Sequence, residues 1–191
     1  FLVYDEERTC RTPLEELSSD VMKAAPPYEC FAFAANMPKW NTNNDETAAY
    51  LIACAEEWTK RLNLDAWRLD VPDETGLRFL RAFRERIKGI SPQTAIIGEI
   101  WTSPASYLQG DCFDGTMNYP LYFAMRDYLL LGRITAETFC ERMNRILNEL
   151  PDDIRKNQMN FIANHDVPRP LTMAGGNRAA VCAALALIAF L

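Results

Sequence analysis

From Asn43 onward, short apolar runs alternate with longer stretches of amphipathic, helix-period sequence, and this alternation constrains the fold more than any other feature. Strands separated by helices pair in parallel, because a parallel neighbour needs a long crossover and a helix supplies it. The apolar runs are "DAWRLDV", "TAIIGEIW", "FDGTMNY" and "MNFIANHD". The second is apolar enough for a strand covered on both faces. Asn43 or Asn44 caps the first helix, with Asp45 and Glu46 in its first turn and Lys60 and Arg61 in its last, as the helix dipole favours. Ala48, Leu51, Ile52, Ala55, Trp58 and Leu62 form its predicted apolar face. A second helix is predicted over 75–88, with Leu77, Phe79, Leu80, Phe83 and Ile87 inward and Gly89 and Pro92 ending it. Helices over 121–131, stopped by Gly132, over 135–150, stopped by Pro151, and from near Asn177 complete the set. The order α-βα-βα-βαα-βα implies a parallel α/β sheet.

Residues 1–44 read differently. Pro13, Pro26, Pro27 and Pro38 punctuate them and "NTNN" closes them, so a loop-rich segment is expected, with one short helix over 13–24. The remainder, 45–191, forms the expected α/β body. With 191 residues the chain can bury one sizeable core. A net charge of -6 and the lack of a basic patch argue against nucleic acid as a partner. The six cysteines show no zinc-ligand spacing and most sit among apolar neighbours, which points to buried, reduced thiols and a cytoplasmic setting. No membrane span is expected: the apolar run over 179–191 has 13 residues, short of the roughly 20 that a spanning helix needs. A helix buried on a sheet is expected there instead.

Three polar clusters stand just after apolar runs: Arg68 and Asp70 in "WRLDV", Glu99 and Trp101 in "GEIW", and Asn164, His165 and Asp166 in "ANHD". At the C-terminal ends of parallel strands such side chains converge on one face. Two carboxylates about 5–5.5 Å apart are the machinery of retaining glycoside hydrolysis, one attacking and one protonating. The residues alone leave blander readings open: Asp70 as a cap for the next helix, Arg68 with Asp70 as an ordinary ion pair, His165 as an unremarkable loop histidine. "AGGN" at 174–177 is too weak a motif for a phosphate loop.

Taken together and in this order, "DAWRLDVPDE", "IIGEIW" and "FIANHDVPR" resemble the strand-four, strand-five and strand-seven motifs of the α-amylase superfamily, glycoside hydrolase family 13. "MPKWN" at 37–41 resembles the "MPKLN" signature of its neopullulanase, cyclomaltodextrinase and maltogenic amylase branch, and Glu74 and "GDCFDGTMNYP" fit that branch as well. The resemblance runs from about Tyr28 to the end of the chain. It implies a partial (β/α)8 barrel covering about strands four to seven, with 1–44 as the end of the excursion after strand three. It implies a fragment, since strands one to three and eight have no counterpart and a whole barrel takes about 250 residues.

The resemblance also implies roles. Asp70 becomes the nucleophile, held by Arg68; Glu99 the general acid/base, its pKa raised by burial; Asp166 the third carboxylate, binding sugar hydroxyls beside His165. Trp101 offers an apolar face to glucose, with a core role as the alternative, and Glu74 shapes the acceptor side. Asp73 and Pro72 depart from the branch's usual Asn and Ala. No cofactor is needed for this chemistry, no residue here is assigned to a metal, and calcium is admitted only for the parent enzyme. The implied partner is an α-glucan, whether cyclodextrin, pullulan or maltooligosaccharide, and exposed edge strands invite a homodimer. The same residues carry one alternative: a catalytically inactive half barrel that only binds sugar or self-associates.

Overall fold

The computed structural model describes residues 28–31 and 37–191. The helix expected over 13–24 and Cys10 lie outside them. The chain divides into two compact units, one built from residues up to Asn63 together with Asp73–Ile90, the other from Leu64–Pro72 and Ser91–Leu191.

In the first unit, Cys30 and Pro38 form an antiparallel bridge. Helix α1 (Asp45–Leu62) starts where Asn44 Oδ1 accepts the Thr47 amide at 2.9 Å and ends at Asn63 in the left-handed region. Its buried residues are Thr47, Ile52, Ala55 and Thr59. The face is therefore rotated from the expected one: Trp58 and Leu62 are exposed. Thr59 can be buried because its hydroxyl donates to the Ala55 carbonyl at 2.7 Å, leaving only its methyl to pack. Helix α2 (Leu77–Ile90) buries Leu80, Phe83 and Ile87 and packs on α1. Leu77 is exposed, and Gly89 lies within the helix rather than ending it.

The second unit carries a parallel sheet in the order β1 (Ala66–Leu69), β2 (Ala95–Gly98), β3 (Gly115–Thr116). Leu69 stands opposite Gly98, so the chain leaves β1 and β2 at the same level. Among the described residues three strands form where four were expected. "MNFIANHD" joins the sheet only at Met159, through a single parallel bridge to Met117. Side-chain amides replace the missing ladder: Gln158 Oε1 accepts from the Thr116 amide at 3.2 Å and its hydroxyl at 2.7 Å, and Asn118 Nδ2 donates to Asn160 Oδ1 at 2.8 Å.

Helix α3 (Tyr119–Met125) begins two residues earlier than expected, with Asn118 as cap and Pro120 in its first turn, and continues as a π-helical turn over Arg126–Leu130. Helix α4 (Ala136–Glu149) is capped by Thr135 and followed by Pro151. The short helices α5 (Asp152–Arg155) and α6 (Pro170–Met173) were not expected. Helix α7 (Arg178–Phe190) starts at Asn177 as expected but does not lie buried on a sheet. Its sequence is apolar all round, so only one side can pack. Leu187 and Ile188 meet the cluster of Leu121, Ala124, Met125 and Met143, while Leu185 and Phe190 are exposed. Among the described residues, no helix is long and apolar enough to cross a membrane. None of the five described cysteines is in a disulfide, and only Cys112 among them is buried; Cys140 and Cys182 are exposed, contrary to the expectation of buried thiols.

Three glycines separate close packing from open space. A Cβ at Gly98 would come within 2.5 Å of the Phe113 ring, and one at Gly115 would strike the Asn157 carbonyl, which cannot rotate away. At Gly89 it would meet nothing within 4 Å. Urea unfolding is expected to show Gly98→Ala costing about 1–3 kcal/mol, Gly115→Ala costing more than Gly98→Ala, and Gly89→Ala gaining about 0.5–1 kcal/mol by restricting the unfolded chain.

Candidate active site

The site lies at the C-terminal ends of β1, β2 and β3, all in the second unit. Arg68 is the third residue of β1, and its guanidinium serves two carboxylates. Nη1 hydrogen-bonds Asp70 Oδ1, and Nη2 lies 2.9 Å from Glu99 Oε2. The second contact is an ion pair without hydrogen-bond angles, since Nη2 has no hydrogen-bond partner. The two carboxylates differ sharply in setting: the Glu99 side chain is 4% exposed and that of Asp70 76%.

Three donors complete the surroundings of Glu99. The Val71 amide reaches Oε2 at 3.2 Å, while Trp101 Nε1 and the Tyr119 hydroxyl reach Oε1 at 3.0 and 3.2 Å. Val71 has φ +40°, a conformation that a β-branched residue avoids. The strain is localised where the chain turns off β1, and that turn aims the amide at Glu99.

Tyr119 is fully buried and opens α3 directly after β3. Its ring stacks on Trp101 with centroids 4.2 Å apart and meets Phe161 edge-on at 4.9 Å. Its hydroxyl also accepts from Asn164 Nδ2 at 2.8 Å, while Asn164 Oδ1 accepts from the Asp166 amide at 2.9 Å. A continuous run of contacts thus leads from Asp166 through Asn164 and Tyr119 to Glu99, and through Arg68 to Asp70. Burial, with the negative charges of Glu99 and Asp166 nearby, pushes the Tyr119 phenol up from 10.0 to about 12.

The remaining expected residues are placed as follows. Trp101 is 42% exposed, so one face packs on Tyr119 while much of the indole stays open. His165 is largely exposed, with Nε2 3.3 Å from Asp166 Oδ2. Glu74 belongs to the first unit, where its carboxylate pairs with Lys39 Nζ at 2.7 Å. Tyr119 and Val71 were not foreseen as parts of the site, whereas Asn164 was expected in the third strand-end cluster without a role of its own. For Tyr119 a signal existed: in "MNYP" it follows an apolar run, at the level where the other polar clusters stand. Among the described residues no three His, Cys, Asp or Glu gather in a group that could hold a metal ion.

Two consequences are measurable. Arg68→Met leaves Glu99 buried without its countercharge and is expected to cost about 3 kcal/mol in urea unfolding. A phenol raised in the folded state stabilises the fold fully below its unfolded value, and that contribution is lost as pH rises through the folded one. Stability should therefore fall between about pH 10 and about 12, and Tyr119→Phe should flatten that fall. Tyr122, also raised by burial, leaves a residue of it.

Residues 23–191 match the family model described as "Alpha amylase, catalytic domain". A cyclomaltodextrinase of Thermoanaerobacter pseudethanolicus is 40% identical over 152 residues, 79% of this chain and 26% of that protein. An intracellular maltogenic amylase of Bacillus subtilis is 37% identical over 145 residues, 76% of this chain and 25% of that protein. Among solved structures, the cyclic α-maltosyl-(1→6)-maltose hydrolase of Arthrobacter globiformis, in complex with maltose, superposes with a TM-score of 0.79 at 34% identity, over 85% of this chain and 37% of that one. The chain thus spans about a quarter of the length of these two sequence relatives. It has the parallel sheet and flanking helices of a TIM-barrel catalytic domain. The chain belongs to the α-amylase family, in the branch of the maltogenic amylases and cyclomaltodextrinases.

Proposed function

We propose that this chain carries the catalytic carboxylates of a retaining α-glucan hydrolase. The observation that carries the reading is one guanidinium, Arg68, spanning an exposed Asp70 and a buried Glu99 at adjacent strand ends. In the first step an Asp70 oxygen bonds to the anomeric carbon while Glu99 passes its proton to the departing glycosidic oxygen. In the second, Glu99 takes a proton from water, the water oxygen bonds to the anomeric carbon, and the bond to Asp70 breaks. Arg68 holds Asp70 in place through both steps. Asp166 and His165 take sugar hydroxyls, and the open part of Trp101 packs against a glucose ring.

The matched relatives, a neopullulanase of Thermoactinomyces vulgaris among them, support the substrate class, a cyclodextrin, pullulan or maltooligosaccharide, in a cytoplasmic setting. In this reading the sheet corresponds to strands four to six of a (β/α)8 barrel, with Met159 in the place of strand seven, and residues 1–44, most of which lie outside the described residues, correspond to the end of the excursion after strand three.

One observation favours a second reading, a half barrel that binds sugar without turnover: both Glu99 oxygens accept from donors inside the site. Reducing-sugar release from cyclodextrin, pullulan and maltooligosaccharides separates the two. The hydrolase reading expects product from the chain and a drop of about 10²–10⁴-fold in Glu99→Gln, the share that general acid/base catalysis contributes. The second expects sugar affinity in both proteins and product from neither.

A further inference from the structure

The direction of one buried hydroxyl proton follows from the groups around it. The Asp166 amide, 2.9 Å from the Asn164 side chain, can only donate, so the Asn164 oxygen is the atom that faces it. That fixes the side-chain amide. Its Nδ2 is then the atom 2.8 Å from the Tyr119 hydroxyl, and Nδ2 can only donate as well. The phenol carries a single proton and cannot send it toward a donor. It therefore donates to Glu99 Oε1, 3.2 Å away. The ring itself is fully buried, stacked on Trp101 and edge-on to Phe161, so the hydroxyl is held where it is.

The two oxygens of Glu99 are consequently unequal. Oε1 meets two donors that keep their protons: the phenol, pushed up to about 12 by burial, and the Trp101 indole N–H at 3.0 Å. A proton placed on Oε1 would face both. Oε2 accepts the Val71 amide at 3.2 Å, and Arg68 Nη2, 2.9 Å away, does not aim an N–H at it. Oε2 is also the oxygen beside the guanidinium that leads on to Asp70.

We propose that Tyr119, aimed by Asn164, is a positioning residue for Glu99: it keeps Oε1 an acceptor and leaves Oε2 as the oxygen that carries the proton. The proton passes from Oε2 to the departing glycosidic oxygen, and a proton from water returns to Oε2, while Tyr119 keeps its own. The proposal rests on the hydrolase reading above and gives Tyr119 and Asn164 their part in it. The charged and titratable groups facing the Tyr119–Glu99 pair are Arg68 from β1, Asp166 from the segment after Met159, and Tyr122 from α3.

Fluorine NMR of the chain grown with 3-fluorotyrosine reads its seven tyrosines one by one, and Tyr119→Phe assigns the resonance. The fluorine makes each phenol more acidic and brings its titration to milder pH. The Tyr119 midpoint is expected to fall by about one pH unit in Glu99→Gln, which removes a charged acceptor of the phenol proton. It is expected to rise in Asn164→Leu, which removes a donor that favours the phenolate. Turnover of maltotriose is expected to fall about ten-fold in Tyr119→Phe, part of the roughly 10²–10⁴-fold that acid/base catalysis supplies. Fluoride release from maltosyl fluoride is expected to be largely kept, because fluoride departs without a proton. A midpoint that stays or falls in Asn164→Leu overturns the positioning role and leaves the hydrolase reading standing, as do equal losses on the two substrates. No product from either substrate with the unaltered chain overturns the hydrolase reading and the role with it.

Discussion

The structure of the site depends on keeping one buried carboxylate, Glu99, in place. A carboxylate 4% exposed survives burial only if charge and donors surround it. Here the countercharge comes from β1, as Arg68, and the donors come from the turn after β1, the loop after β2 and the start of α3, as Val71, Trp101 and Tyr119. The parallel register makes this feasible, since Leu69 opposite Gly98 brings two chain exits to one level. The same guanidinium then fixes the exposed Asp70. One residue buried and one open, joined by a shared cation, is an asymmetry that two-step glycosyl transfer can use: the exposed group can reach an anomeric carbon, and the enclosed one keeps its orientation.

Much of this was legible in the sequence, for identifiable reasons. Helix starts were clear because Asn44, Thr135 and Asn177 place a side-chain acceptor where the first turn needs one. The strand-end clusters were clear because short apolar runs stop abruptly at charged residues. The misreadings also have physical causes. "MNFIANHD" has the apolarity of a strand, but Gln158, Asn118 and Asn160 satisfy the neighbouring groups with side-chain amides, leaving only the bridge at Met159. Helix α1 turned its predicted face because a threonine that bonds its own helix can be buried, which periodicity of apolar residues cannot register. The role of Tyr119 depends on a stack with Trp101 and a bond to Asn164, contacts across 18 and 45 positions that no local pattern encodes.

The two units contribute different kinds of evidence. In the second, the carboxylates, their cation and the Asn164–Tyr119 link form one connected group. In the first, Glu74 is paired with Lys39. The chain covers about a quarter of the length of its sequence relatives, and the connected group is the polar core of the site within that span. What that core supplies is specific: which carboxylate is held, by what, and which one is left open to react.

The most direct test of that assignment is mass spectrometry of the protein after incubation with an activated fluoro-glucosyl fluoride, which forms the covalent glycosyl intermediate faster than water releases it. A glycosyl adduct on the peptide containing Asp70, absent from Asp70→Asn, is the expected result. An adduct confined to another residue, or none at all, would contradict the assignment of Asp70 as nucleophile.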